Sequence, residues 1–290
     1  MDTAQSVFLS GIVLGSLYAM MATGLSLVWT TLGIFNFAHG IFMAIGALVA
    51  WQIGSSLGWG LGPAAGLAVG VAVMVGIGFL SELIVVRIFL ARRDVMLPAV
   101  ITTLSASIFF ENGTLLIWGA RYKQLDPLIP GKVELLSTAI SAHEVLIIVI
   151  APLTLVGLWL FLKFTRIGSA IRAVSQNREA ALLMGMNVSL LYSSAFALSA
   201  GLAGLSGILL GSVRFITPSL GAEPLVKALI VVIFGGLGSL GGTIGAAYVI
   251  GLMEAISIYV VGLYWTQALL FGVMILVLLV RPTGLFGRKG

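Results

Sequence analysis

Long apolar stretches alternate with short polar or Gly/Pro breaks along the whole chain. Nine stand out, at 6–29, 38–53, 64–89, 96–118, 143–162, 190–213, 225–236, 243–262 and 264–280. A helix needs about 20 apolar residues to cross a bilayer, and 38–53 and 225–236 are short for that task. In transporters, short and glycine-interrupted segments mark broken or re-entrant helices that line a pathway. The pattern predicts an all-α, polytopic transmembrane helical bundle of about eight spans plus one short broken or re-entrant helix. The first stretch, Ser6 to Trp29, has no positive segment before it and is too long for the apolar core of a cleavable signal. It reads as the first span.

Composition excludes the soluble alternative. Of 290 residues, 60% are hydrophobic and 9% charged, and the mean hydropathy is +1.17. A soluble domain carries about 25% charged residues to cover its watery surface; this chain must face lipid instead. The absence of cysteine removes disulfides, zinc–thiolate clusters and thiol chemistry. Thirty-seven glycines suit helices that approach closely where lipid gives no hydrophobic drive. The whole of 1–290 reads as one transmembrane domain.

The net charge of +5 is concentrated, not spread. Ten of the fifteen Lys and Arg fall in three turns: Arg87, Arg92 and Arg93; Lys163, Arg166, Arg172 and Arg178; Arg281, Arg288 and Lys289. The positive-inside rule places these turns, and the C-terminus, in the cytoplasm. The mixed-charge loop 119–141 and the loop 214–224 then lie outside by alternation. The side of the N-terminus depends on how the short segments are counted.

The longest of the basic segments, 163–189, differs from the rest. It holds Ser175, Gln176 and Asn177, then Arg178, Glu179, Ala180 and Ala181, and Gly185 ends the run as a helix C-terminal glycine does. Its E-A-A-x-x-x-G form resembles the coupling loop of bacterial ABC importer permeases, in which a short helix docks into a groove of the ATPase subunit. The family's I-x-L-P ending is missing here. On that resemblance Ala180 and Ala181 offer a slim face, Gly185 turns the chain, and Arg172, Arg178 and Glu179 fix register as rim charges.

A second resemblance runs nearly end to end. Asn36-Phe37-Ala38-His39-Gly40 resembles a signature of the branched-chain amino acid permeases of the LivH type. Ala99 to Leu104 resembles the start of their fourth segment, Phe234 to Gly242 their glycine-rich turn, and Arg281 to Gly287 their C-terminal ending. Glu111-Asn112 stands where the family has a Gln-Asn pair. The resemblance implies an importer for leucine, isoleucine and valine in a bacterial inner membrane. It also implies a second, homologous permease subunit, two cytoplasmic ATP-binding subunits and a periplasmic solute-binding protein. It implies no cofactor, metal or catalytic residue in this chain. Related permeases handle urea, short amides or other amino acids.

Several residues have two readings. Asn36 and His39 beside an apolar run must face protein or a pathway, because polar groups in lipid are costly. Gly236, Gly238 and Gly241 have the spacing of a dinucleotide fingerprint, but that motif needs a preceding strand and a soluble βαβ unit. Between two membrane helices these glycines pack backbones or line a path. No G-x-x-x-x-G-K-[ST] occurs, which places any ATPase on another polypeptide. Glu82 lies within reach of Arg87 and reads as a structural pair. Glu111 and Glu254 sit deeper, where an unpaired charge costs about 2.5–3.5 kcal/mol or more. They read as pathway or packing groups, or in a rival reading as the proton relay of a secondary carrier.

Overall fold

A computed structural model describes residues 2–55, 58–89, 95–135, 138–281 and 283–286. Each of the nine apolar stretches is a helix. The long ones are α1 (Asp2–Leu32), α3 (Pro63–Ser81), α4 (Met96–Trp118), α5 (Ala142–Phe164), α8 (Val188–Gly211), α10 (Leu240–Val261) and α11 (Leu263–Val280). With its continuation to Phe89, α3 completes a set of seven helices long and apolar enough to cross a membrane among the described residues. The two short stretches are α2 (His39–Gly54) and α9 (Ala222–Gly235). Two further helices, α6 (Arg166–Gln176) and α7 (Arg178–Leu183), fill the segment between α5 and α8.

The helix starts follow ordinary capping chemistry. Side chains of Thr165, Asn177, Asn187 and Ser239 accept backbone N–H groups at the starts of α6, α7, α8 and α10. Ser141 and Glu144 form a reciprocal capping box on α5. Before α5 the chain makes a small antiparallel hairpin, β1 (Lys132–Leu135) against β2 (Thr138–Ser141). The loop reading of 119–141 did not include this hairpin.

Two ends of the bundle can be told apart by charge. Leu27 and Val28 of α1, Val86 beyond α3, Leu162 of α5, Ile171 of α6, Ala181 of α7 and Leu191 of α8 pack in one cluster. Arg87, Lys163, Arg166, Arg172 and Arg178 belong to the segments that meet there, so this is the basic end. Arg92, Arg93, Arg288 and Lys289 lie outside the described residues. At the far end Leu48, Leu125, Ile208 and Ile216 pack together, and Lys123 and Ile216 exchange backbone hydrogen bonds. Since α1 finishes in the basic-end cluster, its first residues belong to the far end.

Burial is uneven, and the unevenness locates the core. The apolar windows of α1 and α8 are 89% buried, whereas those of α4 and α11 are 11% buried. Ile108, Phe109, Leu116 and Ile117 stand bare on α4; in water such a stripe would be untenable, and against lipid it is the expected surface. The short helices begin inside the bundle. His39, at the start of α2, lies between Met21 of α1 and Ser199 of α8, near the middle of both helices. Gly221, before α9, meets Gly40 backbone to backbone.

Close approach of backbones is what joins α2 to α8. A Cβ on Gly207 would run into the Met43 carbonyl, and one on Gly46 would fall 2.7 Å from Gly204 Cα. Gly207→Ala should therefore push α2 off α8 and cost about 1–3 kcal/mol, the usual range for overpacking. Gly76→Ala, with nothing within 4 Å of the added carbon, is the control. Thermal unfolding in detergent checks the pair, and equal midpoints for the two variants would refute the packing account.

Candidate functional site

Glu254 of α10 is buried, and two helices supply its partners. The Tyr18 hydroxyl of α1 donates to Oε2 at 2.6 Å, and Lys227 Nζ of α9 donates to Oε1 at 2.5 Å. Lys227 also reaches Glu223 Oε1 at 2.6 Å, one turn earlier on α9, and Arg214 Nη1 lies 3.4 Å from Glu223 Oε2. Charge thus alternates from the far end inward: Arg214, Glu223, Lys227, Glu254. A lone charge in an apolar interior is expensive, so the partners are a requirement and not an ornament. The inner two side chains are buried, at 5% and 1% exposure, while Arg214 and Glu223 are 42% and 45% exposed. A cavity of about 460 Å³ opens beside all four charges, with Leu263 and Tyr264 of α11 also on its wall.

Sequence reasoning singled out Glu254 but missed Lys227, Glu223, Arg214 and Tyr18. One signal was available: Glu223 and Lys227 are spaced i,i+4 at the start of an apolar run, the spacing of a helical ion pair. Tyr18 gave none, since it sits 236 residues from its partner.

Asn36 and His39 are both buried against protein. The His39 ring sits between the Met21 carbonyl, 3.0 Å from Nε2, and the Ser199 hydroxyl, 3.3 Å from Nδ1. This is the geometry of a helix-interface residue clamped on both sides. Asn36 Oδ1 accepts from Ala38 N at 3.0 Å, turning the chain into α2. Its Nδ2 is buried with no hydrogen-bond partner among the described residues.

The acids do not converge. Glu111 and Asn112 lie on α4, where Asn112 Nδ2 donates to the Ile108 carbonyl one turn back; α4 packs on α2 and on the end of α3. Glu254 is closed in by α1 and α9, so the two carboxylates of the proton-relay reading are not brought together. Glu82 is fully buried in a π-helical turn, Glu82–Val86. It pairs with Arg87 at 2.8 Å and with the Ser193 hydroxyl of α8, as its reading as a structural pair expects.

The glycine turn lies at the basic end between two helices. Gly236 and Gly238 have positive φ, 99° and 89°, and an added Cβ on Gly241 would meet nothing within 4 Å. The C-terminal segment docks here: Leu285 N donates to the Phe234 carbonyl at 2.9 Å, and a Cβ on Gly284 would fall 2.6 Å from Gly236 Cα. Turn and tail form one packed unit with helices on both flanks, so the dinucleotide reading has no place. Of the tail motif, Pro282 and Gly287 lie outside the described residues.

The last group lies on α7. Asn177 Oδ1 accepts from Ala180 N at 3.0 Å, and Gly185 ends the helix with φ +76°. Ala181 is buried, whereas Arg172, Arg178, Glu179 and Ala180 are exposed. Beyond them Leu182, Leu183 and Met184 are 51%, 89% and 79% exposed.

Residues 7–278 match the family described as branched-chain amino acid transport system / permease component. The chain is 32% identical over 300 residues to the high-affinity branched-chain amino acid transport system permease protein LivH of Salmonella typhimurium, covering 98% of this chain and 95% of the relative. It is 31% identical over 295 residues to the corresponding protein BraD of Pseudomonas aeruginosa, covering 96% and 94%. A probable branched-chain amino acid transport permease protein LivH of Methanocaldococcus jannaschii is 28% identical over 303 residues, covering 99% and 94%. No solved structure matches the chain.

The ion-pair geometry makes a ranked prediction. Lys227→Met leaves the buried Glu254 carboxylate with the Tyr18 hydroxyl alone, and breaking a buried pair from one side costs about 3–5 kcal/mol. Glu254→Gln leaves Lys227 its contact with Glu223 and should cost less. Thermal unfolding in detergent should place Lys227→Met lowest, with the double variant regaining part of the loss. Strictly additive losses would mean that the two side chains are not coupled.

Proposed function

The chain belongs to the branched-chain amino acid transport permease family, and from that premise we propose that it forms the membrane path of an ATP-driven importer for leucine, isoleucine and valine. It works with a second, homologous permease, two cytoplasmic ATP-binding subunits and a periplasmic binding protein that delivers the solute. The assembly sits in a bacterial inner membrane, with the basic end in the cytoplasm. By that orientation the N-terminus and the charged cavity face the outside.

The observation that carries the coupling is the apolar tip of α7. A chain in water does not leave three large apolar side chains bare at the end of a short helix without a use for them. Leu182, Leu183 and Met184 project at the basic end, where the positive-inside rule puts the ATPases. Arg172, Arg178 and Glu179 supply the charged rim, and the buried Ala181 anchors the helix to the bundle. The turn from α7 into α8 is short and hydrogen-bonded: Met186 N donates to the Ala181 carbonyl at 3.1 Å. Displacement of α7 by a closing ATPase pair is thereby passed to α8, the most buried helix together with α1.

Leu183→Asp tests this directly. The side chain is 89% exposed, so the fold should stand. Burial of a leucine contributes about 1.5–3 kcal/mol, so docking should weaken by about tenfold or more. Copurification of the ATP-binding subunits and ATP-driven leucine uptake in proteoliposomes should both fall. Gly185→Val, which forces a branched residue into left-handed backbone, should reduce uptake as well. Unchanged copurification and uptake in both variants would remove α7 as the docking element.

A further inference from the structure

We propose that the cavity beside Arg214, Glu223, Lys227 and Glu254 is a binding station for the zwitterionic head of a free α-amino acid. Arg214 and Lys227 take its carboxylate and Glu223 its ammonium. The inference rests on the amino acid permease reading and adds a place where the permease itself touches its solute.

Two cations and two anions line the cavity, so their sum is zero. A zwitterion entering it keeps that sum, and each of its charges can meet an opposite one. A lone cation or anion of the same size would leave an unmatched charge in a partly desolvated site, which is costly. The lining therefore selects molecules that carry both signs close together, and the ammonium and carboxylate of an α-amino acid share one carbon.

The four charges are not equivalent. The inner pair is tight and buried, with Lys227 at 2.5 Å from Glu254 and the Tyr18 hydroxyl holding the other carboxylate oxygen. The outer pair is loose: Arg214 touches Glu223 Oε2 through one nitrogen at 3.4 Å and both are nearly half exposed, while Glu223 Oε1 is held by Lys227 at 2.6 Å. A guanidinium has five N–H donors and a carboxylate several acceptor positions, so the outer pair has capacity left for a ligand. Glu254 and Tyr18 act as positioning residues that hold Lys227 in place from behind. A network that served stability alone would have no need of a cavity. Here the cavity measures about 460 Å³, within the range of small-ligand sites, about 300–1,000 Å³. Leu263 and Tyr264 offer apolar wall for a side chain. Half-exposed ion pairs are weak, which suits a station that must also release its ligand.

The test uses the assembled importer in nanodiscs with the binding protein left out. Saturation-transfer NMR reads weak binding through the ligand methyl groups. Three ligands share one isobutyl side chain: leucine, leucinamide, which lacks the carboxylate, and 4-methylpentanoate, which lacks the ammonium. Leucine should bind about tenfold more tightly than either half-ligand, the effect of one charge-assisted contact. Arg214→Gln should weaken leucine by about the same factor and leave leucinamide no weaker, since the lining then carries an excess negative charge. Glu223→Gln should weaken leucine and leave 4-methylpentanoate no weaker, since the lining then carries an excess positive charge. A folding defect cannot produce that crossed pattern. Equal binding of all three ligands, a uniform loss in both variants, or no saturable leucine signal would each overturn the station. Leucine uptake on ATP, with the binding protein restored in proteoliposomes, judges the importer reading separately: uptake without the crossed pattern removes the station alone.

Discussion

Hydrocarbon offers no hydrogen-bond partner, and this one condition decides most of what the chain does. Every backbone amide at depth must be satisfied within the chain, which leaves helices as the fabric of the bundle. Every charge at depth must bring its opposite. Lys227 and Glu254 come from helices that neighbour each other only after folding, and the pair ties α9 to α10 while Tyr18 adds α1. Glu82, Arg87 and Ser193 do the same for α3 and α8 near the basic end. The bundle is thus pinned by charged contacts at two heights, with glycine contacts between them bringing backbones together.

The same condition explains which parts of the fold were legible in the sequence. A lipid-facing helix must be apolar over its whole length, so a spanning segment announces itself without homologues or periodicity. All nine stretches are helices for this reason, the two short ones included. The short stretches were legible as broken or re-entrant helices, but not the place inside the bundle where they begin. That depends on Gly40 meeting Gly221, a contact across some 180 residues that no local pattern encodes. The hairpin at Lys132–Ser141 lies in a polar loop, where lipid no longer imposes a rule.

The charged site was half legible. Glu254 stood out because an acid within an apolar run is expensive, yet its cost says only that a partner exists. Which residue pairs with it is a tertiary fact. Lys227 hid because a lysine near the start of a short apolar run reads as a snorkelling boundary residue; here it turns inward. The motifs at Phe234–Gly242 and Arg281–Gly287 stand apart in the sequence. The structure makes them one, since Leu285 and Phe286 donate to the carbonyls of Phe234 and Gly235. A tail that clasps the turn between α9 and α10 fixes the inner end of the helix that carries Lys227.

The two working regions are joined by a single element. Helix α8 starts five residues after the end of α7 and finishes three residues before Arg214. Its 24 residues span about 36 Å at the usual helical rise, roughly the thickness of a bilayer. Along the way its hydroxyls meet one polar neighbour after another: Ser193 with Glu82, Ser199 with His39, Ser206 with the Leu17 carbonyl. A packed helix held at several heights moves as a rod or not at all, because close-packed interiors transmit displacement and do not absorb it. On the proposed function, motion imposed on α7 from the basic end is carried by α8 toward the turn that holds Arg214. There it meets the loosest of the ion pairs, 3.4 Å between Arg214 and Glu223. The buried Lys227–Glu254 pair is held separately by the Tyr18 hydroxyl and does not depend on that outer contact. The gradient from tight inner pair to loose outer pair gives the rod something to act on without unfastening the bundle.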